Sequence, residues 1–273
     1  MMERFPGFSP IAKIASIMVI AVASTSTFAA ATWTFGNSPC EPTITSCTAS
    51  WTNEGAATAK IIGASAYATT GSSATTFAAA TLTDQNGSGL GVVANGELTG
   101  SPQHSMDNDG ATELMVFQFD KNIILDKVVL GWTYNDADLS IFRWNGAAAP
   151  NLGTALVGKT TSNLGSTWSL VGSYAANGAP TNDSTLQAAD VTVDVNAGGV
   201  SSSWWIISAY NSSYGALGGS GTTTGNDYMK VLAFASQAPD VFGTGIPEPT
   251  SLALMGAALA GMMAVRRRKE RAA

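Results

Sequence analysis

Apolar side chains in the middle of this chain recur at every second residue rather than every third or fourth. In "ELMVFQF", Met115, Phe117 and Phe119 share one face. In "KVVLGWTY", Val128, Leu130, Trp132 and Tyr134 do the same, and "DVTVDV" sets Val191, Val193 and Val195 against Thr192 and Asp194. A period of two is the signature of a strand with one buried face. "WWIISAY" and "YMKVLAFA" are near-continuous apolar runs, which read as central strands; further strands are predicted over residues 59–69, 77–82 and 139–143. Clusters of Gly, Asn, Asp and Ser ("NGSG", "DNDG", "YND", "WNG", "GSGTTTGND") punctuate them as turns. No repeat of fixed period stands out, which sets aside solenoids and propellers. About ten short strands at this spacing predict a mostly β chain, with a single antiparallel, jelly-roll-like β-sandwich over residues 32–243.

Both ends of the chain are built differently. Arg4 and Lys13 flank a polar lead, residues 14–23 ("IASIMVIAVA") carry no charge, and small residues follow around Ala29 and Ala31. That order is a secretory signal peptide over residues 1–31, read by the Sec translocon and cut by signal peptidase. Its apolar stretch is too short to span ~30 Å of hydrocarbon as a permanent anchor. At the other end, residues 251–265 are uncharged and stop at Arg266, Arg267, Arg268 and Lys269. A helix of this length reaches roughly 22 Å, a short and weak membrane span. By the positive-inside rule the basic block stays cytoplasmic and places everything upstream across the membrane. Pro247 and Pro249 fix φ and lack amide hydrogens, so the segment before the apolar run should stand extended at the bilayer surface.

The order Pro247-Glu248-Pro249, short apolar helix, then "RRRK" resembles the PEP-CTERM sorting signal, here over residues 244–271. The same tail is also described as the ice-binding protein C-terminal domain. The resemblance implies recognition of the Pro-Glu-Pro motif by exosortase, a membrane protease-transpeptidase of exopolysaccharide-making Gram-negative bacteria. It further implies a precursor held transiently in the inner membrane, then a cell-surface or extracellular-matrix protein of the biofilm. Residues 101–146, with "HSMDN", "FD…VVLGW" and "DADLS", resemble the central region of one group of exosortase-dependent surface proteins, read as a turn followed by a hairpin.

Between the two signals, residues 32–245 hold six cations against sixteen anions, a net charge near −10. Such a body repels nucleic acid and anionic membrane surfaces, so no nucleic-acid partner is expected. Cys40 and Cys47 are the only cysteines. In an oxidising compartment a close pair reads as a disulfide, whose small loop would stabilise by ~2–3 kcal/mol on the chain-entropy model.

Catalytic chemistry finds little to work with. His104 is the only histidine, which removes HExxH zinc sites, and no G-x-S-x-G elbow occurs. "GLGVVA" at 89–94 matches a dinucleotide fingerprint, but no helix follows it. The chain is therefore read as non-enzymatic and without a required cofactor. One acidic constellation remains: Asp107, Asn108, Asp109 and Glu113 before a strand, Asp136 and Asp138 after the next. If those strands form a hairpin, "DND" and "DAD" meet at one end of the sandwich. Two readings stand side by side: turn formers bonding their own backbone, or hard oxygen ligands for Ca²⁺. Trp144, Tyr210 and Tyr214 beside Asn and Ser likewise read either as core or as platforms for sugar rings. The expected role is structural or adhesive within exopolysaccharide. The competing readings are a carbohydrate- or calcium-dependent binding module, and a glycan hydrolase using paired carboxylates across a cleft. Ice binding would need regular Thr-x-Thr ranks, which the chain lacks.

Overall fold

The computed structural model describes residues 31–35, 43–44, 46–47, 59–70, 76–85, 87–98, 100–102, 104–180, 183–215 and 221–237. Strands β1 (Ala31–Thr34), β2 (Thr43–Ile44), β3 (Ser46–Cys47), β4 (Ile61–Thr69), β5 (Phe77–Ala79), β6 (Thr81–Asp84), β7 (Leu90–Val93) and β8 (Met106–Asp107) lead into the long β9 (Glu113–Asn135). After it come β10 (Leu139–Trp144), β11 (Trp168–Tyr174), β12 (Asp183–Ala188), β13 (Val191–Asp194), β14 (Ser202–Ala209) and β15 (Tyr228–Gln237). Every pairing between these strands is antiparallel, and together they form one continuous hydrogen-bonded ladder.

The ladder is folded over itself along β9. The first half of β9 pairs with β4 on one side and β14 on the other, and β14 continues to β10 and β11. The second half pairs with β15 and, on its other edge, with β12 and β13; β15 in turn carries β1, β7 and β8. The two halves therefore belong to two layers, joined at the exposed corner Asp120, Lys121 and Asn122. Asp120 stitches this corner to the approach of β4: its amide donates to the Lys60 carbonyl at 2.9 Å and its Oδ1 accepts from the Lys60 amide at 2.7 Å.

Inward-facing residues of both layers make one core. Ile61, Met115, Phe117 and Ile207 come from the first layer, and Trp33, Val128, Met229 and Phe234 from the second. Period-two alternation explains this, because each strand turns one set of side chains toward the facing layer. β14 and β15 are paired on both edges, as their continuous apolar runs predict. A second cluster, with Leu114, Val116, Phe142, Trp168 and Ile206, sits on the outer face of the first layer. It is roofed by a four-residue helix, Leu152–Ala155, and a 3₁₀ turn, Thr161–Ser166, which contribute Leu156 and Leu164. These turns start where side chains can cap them: Asn151 accepts from the Gly153 amide, and Thr160 and Asn163 form a reciprocal capping box. "ELMVFQF" is consequently buried on both faces.

The structure corrects two details of the strand reading. "ELMVFQF" and "KVVLGWTY" are not two arms of a paired hairpin; they are successive parts of one strand that crosses between layers. Nor do Val128, Leu130, Trp132 and Tyr134 share one face. The pairs Leu130–Val231 and Trp132–Lys230 leave Gly131 as an extra residue on β9, a bulge that reverses the side-chain alternation. Trp132 and Tyr134 stack outside at 6.0 Å, and Thr133 takes the inward position. Gly131 is required there: a Cβ would stand 2.4 Å from the Ser88 carbonyl oxygen.

Candidate functional site

Because β9 doubles back at its corner, its two ends return to the same end of the molecule. β15 begins there, and Tyr228 registers with both Asp107 and Tyr134. The acidic turns therefore meet, although the strands that carry them are not hairpin-paired. They form two neighbouring trios, Glu97 with Asp107 and Glu113, and Asp136 with Asp138 and Asp227; within each, one oxygen per residue lies within 4.8 Å of the others.

Asp136, Asp138 and Asp227 are tied into the backbone around them. Asp136 Oδ1 accepts from the Ala137 amide and Oδ2 from the Thr223 hydroxyl. Asp138 Oδ2 accepts from the Thr223 amide, and Asp227 Oδ1 accepts from the Asp138 amide at 2.6 Å. Asn108 completes the knot: its Nδ2 donates to Asp227 Oδ2 at 2.6 Å and to the Tyr210 carbonyl at 2.9 Å, while its Oδ1 accepts from the Asp227 amide at 2.7 Å. Asn108 is thus a clamp between the segment before β9 and the turn before β15. Asp109 is held separately, by the Tyr228 hydroxyl at 2.7 Å.

The other trio is less well satisfied. The Asp107 amide donates to Glu113 Oε2 at 3.0 Å, Asp107 Oδ1 accepts from the Asp109 amide at 3.0 Å, and Glu97 Oε2 accepts from the Ala94 amide at 2.9 Å. Asp107 Oδ2 and Glu113 Oε1 are buried and receive no hydrogen bond from an N–H or hydroxyl of the described residues, while the Glu97 and Glu113 carboxyls lie within hydrogen-bond reach of each other. Asp107 and Glu113 are both fully buried. Burial, reinforced by the charge of Glu97, pushes the Asp107 carboxyl up to about 9. Burial and then the charges of Asp107 and Glu97 hold Glu113 well above its ordinary range. Burial raises Glu97 as well.

Six sequence candidates are thereby divided: Asp107 and Glu113 fall in one trio, Asp136 and Asp138 in the other, Asn108 between them, and Asp109 at the rim. Glu97 and Asp227 were not foreseen. They stand in the turns "NGEL" and "GND", whose composition matches any other turn, and only the fold brings them to the acidic end.

Burial also pushes Asp138 up to about 6 from 3.8, with Asp136 adding to the rise and the Thr223 amide opposing it. An acid whose folded pKa is raised favours the folded state when protonated. Its contribution is full below 3.8 and is lost as pH rises through about 6. Asp138→Asn keeps an oxygen for the Thr223 amide without the ionisation. Between about pH 4 and pH 7 the wild-type chain should lose roughly 1–2 kcal/mol relative to this variant, after discounting for solvent screening. Denaturant melts of both chains across that range check it; a difference that does not move with pH overturns it.

The aromatic candidates separate. Tyr214 is drawn inward, its hydroxyl 2.8 Å from Ser208 Oγ and its ring edge-on to Phe142. Tyr210 lines a small recess of about 150 Å³ with Asn108 and Asn211. Trp144 lies at a polar groove of about 520 Å³, shared with Gln118, Asp120, Arg143, Asn145 and Trp204. Its indole Nε1 donates to the Ala148 carbonyl at 2.7 Å, which fixes the ring at the groove wall.

Residues 1–30 of the expected signal peptide, Cys40, the side chain of Cys47, Pro247, Glu248, Pro249 and the run from 251 to the basic block lie outside the described residues, while Ala31 already belongs to β1. Among the described residues no helix is long and apolar enough to cross a membrane. The tail is decided by comparison: residues 245–269 match the family model of the PEP-CTERM protein-sorting motif. The tail is a PEP-CTERM sorting signal. Exosortase-dependent sorting of a membrane-anchored precursor to the cell surface follows from that motif. No curated protein matches the chain.

Proposed function

We propose that the mature protein is a non-enzymatic, structural or adhesive component of the extracellular polysaccharide matrix. The observation that carries this reading is the PEP-CTERM tail at residues 245–269 on an acidic, two-layer β body. The groove beside Trp144 and Trp204 supports it. Two indoles at the wall, with Arg143, Asp120, Asn145 and Gln118 around them, supply apolar platforms and hydrogen-bonding groups for a sugar chain. The acidic trios do not suit a hydrolase, whose carboxylates must face substrate across a cleft. Asp136 is 4% exposed, Asp138 1%, and Asp107, Glu113 and Asp227 are closed to solvent entirely.

Co-sedimentation with exopolysaccharide purified from the native strain tests the reading. Wild-type chain should be retained, and Trp204→Ala should bind on the order of tenfold more weakly through loss of one stacking platform. Polysaccharide chain length should not change on prolonged incubation. Absence of retention, equal retention of the variant, or shortening of the polysaccharide would each remove the proposal.

A further inference from the structure

Two clusters of carboxylates share one end of this fold, and their hydrogen bonding differs. Around Asp136, Asp138 and Asp227 the chain supplies its own donors: the amides of Ala137, Asp138 and Thr223, the Thr223 hydroxyl and the Asn108 amide group. That cluster explains itself as a structural knot. The trio of Glu97, Asp107 and Glu113 does not. Two of its oxygens, Asp107 Oδ2 and Glu113 Oε1, are buried without a donor, on side chains that are themselves 0% exposed. Leaving such a group unmatched costs about 1–3 kcal/mol, and more for a charged one. Among the described residues the one ion pair is Lys127–Asp194, at another part of the surface. Lys230 is engaged elsewhere: its Nζ lies 4.6 Å over the Trp132 ring and 2.9 Å from His104 Nε2.

Spacing narrows what would satisfy these oxygens. Two oxygens on opposite sides of a cation with bonds of about 2.4 Å stand about 4.8 Å apart, the upper limit for one Ca²⁺ coordination sphere. One oxygen from each of Glu97, Asp107 and Glu113 falls within 4.8 Å of the others. Glu97 is only half-buried and leaves a way in from solvent. Its loop is short, and Glu97 Oε2 is already braced by the Ala94 amide, so the third ligand is held in place.

We propose that Glu97, Asp107 and Glu113 bind one Ca²⁺ ion. The ion joins three separate pieces of chain: the loop after β7, strand β8 and the first residue of β9. It balances charge at the closed end of the sandwich that no lysine or arginine among the described residues reaches.

The test is calcium titration of the full-length chain purified in detergent, by calorimetry and by thermal melting with CaCl₂ against chelator. The wild-type chain should take one ion, and millimolar CaCl₂ should raise its melting midpoint by roughly 5–10 °C. Glu113→Gln preserves shape and should abolish both signals. Glu97→Gln, at a half-exposed position with little risk to folding, should weaken binding by about tenfold or more. Asp138→Asn, in the neighbouring cluster, should bind as wild type does. Mg²⁺ should produce a smaller shift than Ca²⁺, because it demands a tighter octahedral shell. Absence of both heat and a melting shift in the folded wild-type chain would overturn the proposal, leaving a proton shared between Glu97 and Glu113 as the occupant. Unaltered binding in both glutamine variants, or a larger response to Mg²⁺, would overturn it equally.

Discussion

Replacing Pro247, Glu248 and Pro249 together by alanine should leave the chain in the inner membrane as an uncleaved precursor. The expected readings are loss of surface labelling, accumulation in the membrane fraction, and an intact mass that still includes the segment from Arg266 to Ala273. Pro247 and Pro249 each fix φ and restrict the residue before them, which disfavours helix at the motif. Alanine removes both constraints and is the best helix former. The triple variant therefore loses both the motif that exosortase recognises and the local bias against helix. Normal surface display with a trimmed C-terminus in the triple variant would overturn this account. The match of residues 245–269 to the sorting motif makes this the most consequential substitution for the protein's destination.

The largest effect on the body itself is expected from Phe117→Ala. Phe117 is completely buried in the first half of β9, and its ring meets Phe234 at 4.6 Å edge-on and Phe35 at 5.4 Å stacked. Phe234 belongs to the other layer, so this contact holds the two layers against each other. Truncation leaves a cavity that rigid strands on both sides cannot close, at a cost of about 3–5 kcal/mol. For a domain of this size that corresponds to a melting midpoint lower by roughly 10 °C. Chemical and thermal denaturation of the variant check it; a loss below about 1 kcal/mol would mean that the layers do not meet through this residue.

Strand content was legible where alternation was uninterrupted, as in β13, and where an apolar run was continuous, as in β14 and β15. What escaped was the path of β9. Asp120, Lys121 and Asn122 look like a hairpin tip because they are polar and exposed, yet the two halves of the strand that meet there fold into different layers instead of pairing with each other. Sequence alone cannot separate a corner between layers from a hairpin tip, since both need only solvent-tolerant residues. The misassigned face of Trp132 and Tyr134 has a similarly local cause: one glycine bulge, invisible to any period count, inverts the pleat beyond it. The meeting of "DND" with "DAD" was anticipated from an assumed hairpin and arises instead from the folded-over strand. Glu97 and Asp227 could not be read at all, because their significance lies in long-range pairing of β8 and β15 rather than in their own neighbourhoods. The helical roof over Phe142 and Trp168 was silent too, as a four-residue helix is too short to carry a periodic signal.

β1 pairs with the last turns of β15, so Ala31 lies opposite Ser236. The first strand and the end of the last strand therefore sit side by side. Ten residues of β15 then run back to Tyr228 beside the acidic end, a distance of roughly 30 Å. With the chain moored beyond Gln237, force enters the body at the end of β15 remote from the carboxylates. Tension on the mooring would run lengthwise along a strand gripped on both flanks, so many hydrogen bonds would have to yield together before the body could be pulled open.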